Sequence, residues 1–144
     1  MGVSEWGTQH DSDSFHFGLR SYAMYAAAIV SGWFGRSESV GIPVRAGVDE
    51  IAVALTADVY SRTYRGVKAW TVATIAEPVR TIGGLTLVPD RVVGSPGAPG
   101  RMLSLPLATP SVQVLDEVLD RVSRDYGRVA AGSAAYDLEY ARRR

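Results

Sequence analysis

The residues with most capacity for chemistry lie near the start of the chain, where His10, Asp11, Asp13 and His16 bring together both histidines of the sequence and two carboxylates. Imidazole and carboxylate at such spacing can ligate a transition metal, and Ser14 beside His16 supplies two members of a hydroxyl-based triad. A working site needs its ligands held rigidly by surrounding groups, and this polar, aperiodic segment offers none. Solvation and helix capping account for these residues better. Asp49/Glu50 and Asp116/Glu117/Asp120 are carboxylate pairs of the kind used in general acid–base catalysis, but neighbours on a helix diverge by about 100°. Pairing with the helix dipole explains them as well. Between Gly94 and Gly100 the glycines recur at every third position, unlike the phosphate-cradling loops GxGxxG and GxxxxGK[ST], so nucleotide binding is not expected. No catalytic, cofactor or metal residue is assigned on these grounds.

Tyr60, Arg62, Tyr64, Arg65 and Lys68 alternate aromatic and cationic groups, as a surface for single-stranded nucleic acid would. The chain as a whole provides no supporting field, because 15 Lys+Arg balance 15 Asp+Glu. Nucleic acid is therefore the less favoured partner. The absence of cysteine excludes disulfides, thiolate nucleophiles and cysteine metal sites. A length of 144 residues, 47% hydrophobic and 21% charged, suits one domain with its own core. The apolar run 22–34 is shorter than the ~20 residues that cross a bilayer, so no membrane partner is expected and the cytoplasm is the default location.

The clearest packing signal is the stripe Leu19, Tyr22, Ala23, Ala26, Ile29, Val30 and Trp33, which predicts a helix that covers its apolar face with protein. Asp13 or Ser14 is its expected cap and Gly35 its stop. Residues 37–47, with Pro43, read as a connector. The next segment fits strand and helix periodicities alike, and its ends decide for a second helix. Asp49 and Glu50 open it, while Arg62, Arg65 and Gly66 close it. Residues 67–75 alternate as a strand, and 85–88 and 102–107 read as two more. Thr109-Pro110 opens an amphipathic helix with Val112, Leu115, Leu119, Val122 and Tyr126 on one face, ended by Gly127 or Gly132.

These elements describe an α+β fold of two N-terminal helices, a small sheet of about three strands and a C-terminal amphipathic helix. Residues 1–12 read as a flexible arm, 13–130 as one globular domain and 131–144 as an extension. The segment from Ile42 through Glu50 and Ile51 to Tyr60 and Arg62 resembles a helix of the head–tail connector (adaptor) proteins of tailed phages. There a proline-containing link also leads into an alanine-rich helix that ends in tyrosine and arginine. The resemblance covers about residues 18–65. It implies a non-enzymatic, ring-forming assembly subunit, located in a virion, that self-associates and contacts other assembly proteins, with Tyr22, Trp33, Phe34, Tyr60, Tyr64 and Trp70 as interface candidates and no cofactor. The competing expectation is a small domain that binds a hydrophobic ligand, or performs simple acid–base catalysis, in a pocket lined by Trp70, Tyr60 and Tyr64. An RNA-binding module is a third.

Overall fold

The computed structural model describes residues 18–34, 37–63, 66–106 and 110–140. Its centre is the short strand β1, Ser39–Pro43, which lies in the segment expected to be a connector. The residues Val40, Gly41 and Ile42 are all buried, and Pro43 ends the strand. That terminal position tolerates a residue without an N–H, because the backbone ladder is continued by Val44 N–H donating to the Val72 carbonyl at 2.9 Å.

From β1 the chain turns into α2 (Glu50–Ser61), preceded in the chain by α1 (Leu19–Phe34). Asp49 caps α2, its carboxylate accepting from the N–H groups of Ile51 at 2.8 Å and Ala52 at 3.3 Å, so the second helix expected from the charge order is present. The chain then forms β2 (Lys68–Ala73), which pairs with β1 in parallel, Val40 opposite Ala69 and Ile42 opposite Thr71. Parallel pairing requires a crossover, and α2 supplies it. A hairpin of β3 (Val79–Arg80) and β4 (Thr86–Leu87) follows, then β5 (Arg91–Val92) beside β2 and β6 (Arg101–Met102) beside β1.

The main sheet thus has four parallel strands in the order β5-β2-β1-β6, accompanied by four helices. This is an α/β arrangement, and it corrects the expected α+β layout with a three-stranded sheet. The reason is β1: once 39–43 is a strand, the segments on both sides of it pair in parallel.

Helix α3 (Ser111–Tyr126) buries Val114, Val118, Leu119 and Val122 completely, each contributing roughly 1.5–3 kcal/mol of apolar burial. Pro110 stands at its cap position, one residue earlier than the expected helical position. Gly127, at φ 91°, turns the chain directly into α4 (Arg128–Asp137) with no intervening loop. Ala130, Ala131, Ala134 and Ala135 of α4 are buried in the same core as Val40, Ile42 and Tyr60. Residues 131–137 therefore belong to the domain and do not form an extension; their small side chains let α4 approach α3 and α2 closely. Helix α1 lies against α4, where the Tyr25 hydroxyl donates to Asp137 at 3.0 Å. The expected arm 1–12, the proposed caps Asp13 and Ser14, and the stop Gly35 lie outside the described residues. Among the described residues no helix is long and apolar enough to cross a membrane.

Candidate functional site: a cleft at the carboxyl ends of the strands

From β1 the chain proceeds outward through β2 to β5, then returns to place β6 on the other side of β1. Strand β1 therefore has β2 on one side and β6 on the other, and the helices that follow β1 and β6, α2 and α3, pack against each other. In open parallel sheets ligands bind in the crevice beyond the carboxyl ends of the strands.

A cleft of about 420 Å³ occupies this position. Pro43, Val44 and Arg45 enter it from the end of β1, and Val48 from the turn before α2. Strand β2 contributes Val72, Ala73 and Thr74, and the turn after β5 contributes Val93. Met102, Leu103, Ser104 and Leu105 complete it from β6 and the chain beyond. The size lies within the ~300–1,000 Å³ of small-molecule sites, and apolar side chains with a few polar groups are the usual lining of such sites. Gly41 shapes one wall, since a Cβ there would collide with the Met102 sulfur and press on Val72. The wall formed by 103–105 is tied to α3 by Arg121, which donates to the Ser104 carbonyl and pairs with Glu117 at 3.1 Å.

The amino end of the sheet is closed instead by a polar clamp. Arg101 of β6 meets Glu38 at 3.2 Å and Asp125 of α3 at 2.5 Å. The Tyr60 hydroxyl donates to Asp125 at 2.7 Å, and the Tyr126 hydroxyl donates to Glu38 at 2.6 Å. Burial, then the neighbouring Asp125, pushes the Tyr60 phenol well above its ordinary range; burial, then Glu38, does the same to Tyr126. Burial works against the charge on Arg101, yet its bonds to Glu38 and Asp125 outweigh that and hold the guanidinium protonated more firmly than usual. The clamp joins β1, β6, α2 and α3 with every member hydrogen-bonded, which is a structural role.

The residues expected to do chemistry are dispersed. His10, Asp11, Asp13, Ser14 and His16 lie outside the described residues. Among the described residues no group of three or more His, Cys, Asp or Glu could hold a metal ion. Asp49 caps α2, while the Glu50 carboxylate accepts from Gly83 N–H at 3.1 Å and tethers the β3–β4 hairpin. That bond, with its own backbone N–H and the Thr81 hydroxyl, holds Glu50 below the usual carboxylate range. Glu117 is paired with Arg121. In the aromatic–cation run, Tyr60 is fully buried and Arg62 pairs with Asp58 at 2.8 Å, so the surface imagined for nucleic acid is not assembled there. Tyr64 and Arg65 lie outside the described residues.

Of the interface candidates, Tyr22 is 64% exposed on α1. Trp70 is half-buried on β2 with the Arg91 guanidinium 4.2 Å from its ring centre. Tyr60, fully buried, is a core residue and is not available to a partner. The side chains of Trp33 and Phe34 lie outside the described residues. Neither Trp70 nor Tyr60 is among the described residues that line the cleft, so the lining differs from the one expected behind the strands. Sequence reasoning missed the true lining because its members are ordinary aliphatics from five separate segments. Their common property, a place just beyond the last residue of a parallel strand, becomes visible only once β1 is recognised.

No family model matches this chain, and no curated protein matches it. Solved structures similar to it include Toxoplasma gondii DJ-1 in its oxidized form, with a TM-score of 0.58 and 11% identity over 73% of this chain and 100% of that one. An AraC family transcriptional regulator from Pseudomonas putida is similar with a TM-score of 0.52 and 14% identity, over 70% of this chain and 99% of that one. At such identities the likeness is one of fold, and it agrees with the α/β arrangement of a parallel sheet with helices. The expectation of a structural assembly subunit of a phage connector is overturned by these neighbours: the resemblance rested on an alanine-rich helix that serves here as the crossover of a parallel sheet.

Proposed function

We propose that this chain is a small-molecule-binding α/β domain that takes a mainly apolar ligand in the cleft at the carboxyl ends of its parallel strands. The observation that carries the reading is the position of the cleft: it lies beyond the carboxyl ends of the parallel strands, and nine of its twelve described lining residues are apolar. Among the described residues the polar remainder, Arg45, Thr74 and Ser104, includes no carboxylate or imidazole to act as a base for either hydroxyl, which supports binding over acid–base catalysis. One of the similar structures is of a transcriptional regulator, which suits a ligand-sensing role.

The reading is tested by thermal denaturation of the full chain with short aliphatic and aromatic compounds, in parallel with Ser104→Trp, which fills the cleft from an exposed lining position. Ligands that raise the melting temperature of the native chain and leave Ser104→Trp unmoved support it. Equal stabilisation of both proteins contradicts it.

A second reading concerns partners. Leu19, Tyr22, Ile29 and Val30 of α1 are 90%, 64%, 40% and 48% exposed, so among the described residues these members of the apolar stripe are left uncovered. Contiguous exposed apolar surface of this kind favours self-association through α1. Light scattering tests it: a dimer or larger species that Tyr22→Glu converts to monomer supports the reading, and a monomeric native chain at high concentration contradicts it.

A further inference from the structure

We propose that the ligand of this cleft is a compact apolar molecule bearing one carboxylate, and that Arg45 selects it by pairing with that carboxylate at the rim. The inference rests on the binding function proposed above and adds the charge and shape of the ligand. Arg45 is exposed and also forms part of the lining, which puts this residue at the rim of the cleft. Three arginines are committed, Arg62 to Asp58, Arg101 to Glu38 and Asp125, and Arg121 to Glu117 and the Ser104 carbonyl, and Arg45 is the arginine that lines the cleft. Arg45, by contrast, forms no side-chain hydrogen bond or ion pair among the described residues.

Among the described residues the lining contains no acid to neutralise it. An unpaired guanidinium above apolar walls creates a local positive potential that a bound anion would experience with less screening than in open water. Its planar fork matches a carboxylate in two parallel hydrogen bonds. A single cation balances a monoanion; a phosphate dianion would leave charge uncompensated. Thr74 and Ser104 add hydroxyls that can donate to the same oxygens, while Val44, Val72, Val93 and Leu105 receive the apolar body. An amine would meet repulsion from Arg45 and find no carboxylate in the lining.

The test is titration calorimetry of the full chain with hexanoate, octanoate, 1-octanol and octylamine. Affinity should rise about fourfold for each methylene added between hexanoate and octanoate, the equivalent of about 0.8 kcal/mol per group. Octanoate should bind about tenfold more tightly than octanol, as expected for one charge-assisted contact at a rim. Arg45→Gln should erase that preference and leave octanol affinity unchanged, while Arg45→Lys should retain part of it. Because Arg45 is exposed and unpaired, neither variant is expected to disturb folding.

Octanol binding as tightly as octanoate, octylamine binding more tightly, or a preference that survives Arg45→Gln would each overturn the carboxylate assignment while leaving the cleft a ligand site. Binding of none of the four compounds, or binding that persists in Ser104→Trp, would overturn the assignment together with the function on which it rests.

Discussion

Replacing Tyr60 by phenylalanine removes one oxygen and almost no volume, and so isolates the clamp at the amino end of the sheet. The ring is fully buried, and its hydroxyl donates to Asp125 at 2.7 Å. A hydrogen bond to a charged acceptor contributes about 1.5–3 kcal/mol. Asp125 keeps its bond to Arg101 and is 21% exposed, so water can reach the vacated lone pair and the lower end applies. We expect Tyr60→Phe to cost about 1.5 kcal/mol near neutral pH, which at a urea m-value of about 2 kcal/mol/M lowers the unfolding midpoint by about 0.7 M with m unchanged.

The alkaline limb sharpens the test. The Tyr60 phenol titrates above its unfolded value, so its contribution is fully present below the unfolded pKa of about 10 and is lost as pH rises toward the folded value. In that window the unfolded chain releases protons that the folded chain keeps, and unfolding becomes easier. Tyr126 behaves in the same way, and together the two phenols can reduce stability by up to about 2.7 kcal/mol per pH unit. Tyr60→Phe should halve that slope, so the native and variant curves converge above pH about 10. Urea titrations monitored by circular dichroism between neutral pH and pH about 11 provide the measurement. A variant as stable as the native chain at neutral pH, or one with an undiminished alkaline slope, would refute the reasoning.

Three further outcomes follow from the same geometry. Asp49→Ala removes the carboxylate that satisfies the Ile51 and Ala52 N–H groups and should cost about 1 kcal/mol, read as a lower urea midpoint. Gly41→Ala should push the Met102 side chain aside and press on Val72, reshaping the cleft wall; ligand affinity should fall, with a stability loss of about 1–3 kcal/mol. Glu50 titrates below the usual carboxylate range, so its tether to the β3–β4 hairpin is present above that range and is lost as pH falls through its lowered pKa. Amide exchange at Gly83 should accelerate over that acid interval, and Glu50→Gln should weaken this pH dependence.

Where local physics decides, the sequence is readable. Helix α2 announces itself through Asp49 and Glu50 at its start, and α3 through an apolar face whose members Leu119 and Val122 are fully buried. Strand β2 shows in the β-branched and aromatic residues of 67–75. Where packing decides, it is not. Gly41 and Pro43 are poor strand residues, and only the neighbours on both sides of β1 make 39–43 the centre of a sheet. Helix α4 carries alanines between Gly127 and Gly132, so its periodicity is faint although four of its alanines are buried. The α1 stripe reads as apolar, and Leu19, Tyr22, Ile29 and Val30 are exposed, while Tyr25, off the stripe, makes the contact with α4, a division the periodicity does not reveal. The cleft is the least legible feature, because it depends on strand order and Arg45 looks locally like any other surface arginine.

The central claim is that the carboxyl ends of the strands form a ligand site, and amide chemical-shift mapping of the labelled full chain during titration with octanoate tests it most directly. The account predicts saturable shifts concentrated at residues 44–48, 72–74, 93 and 102–105, with Glu38, Asp125 and Tyr126 at the opposite end unmoved. Shifts confined to the α1 stripe, or none at saturating ligand, would contradict it.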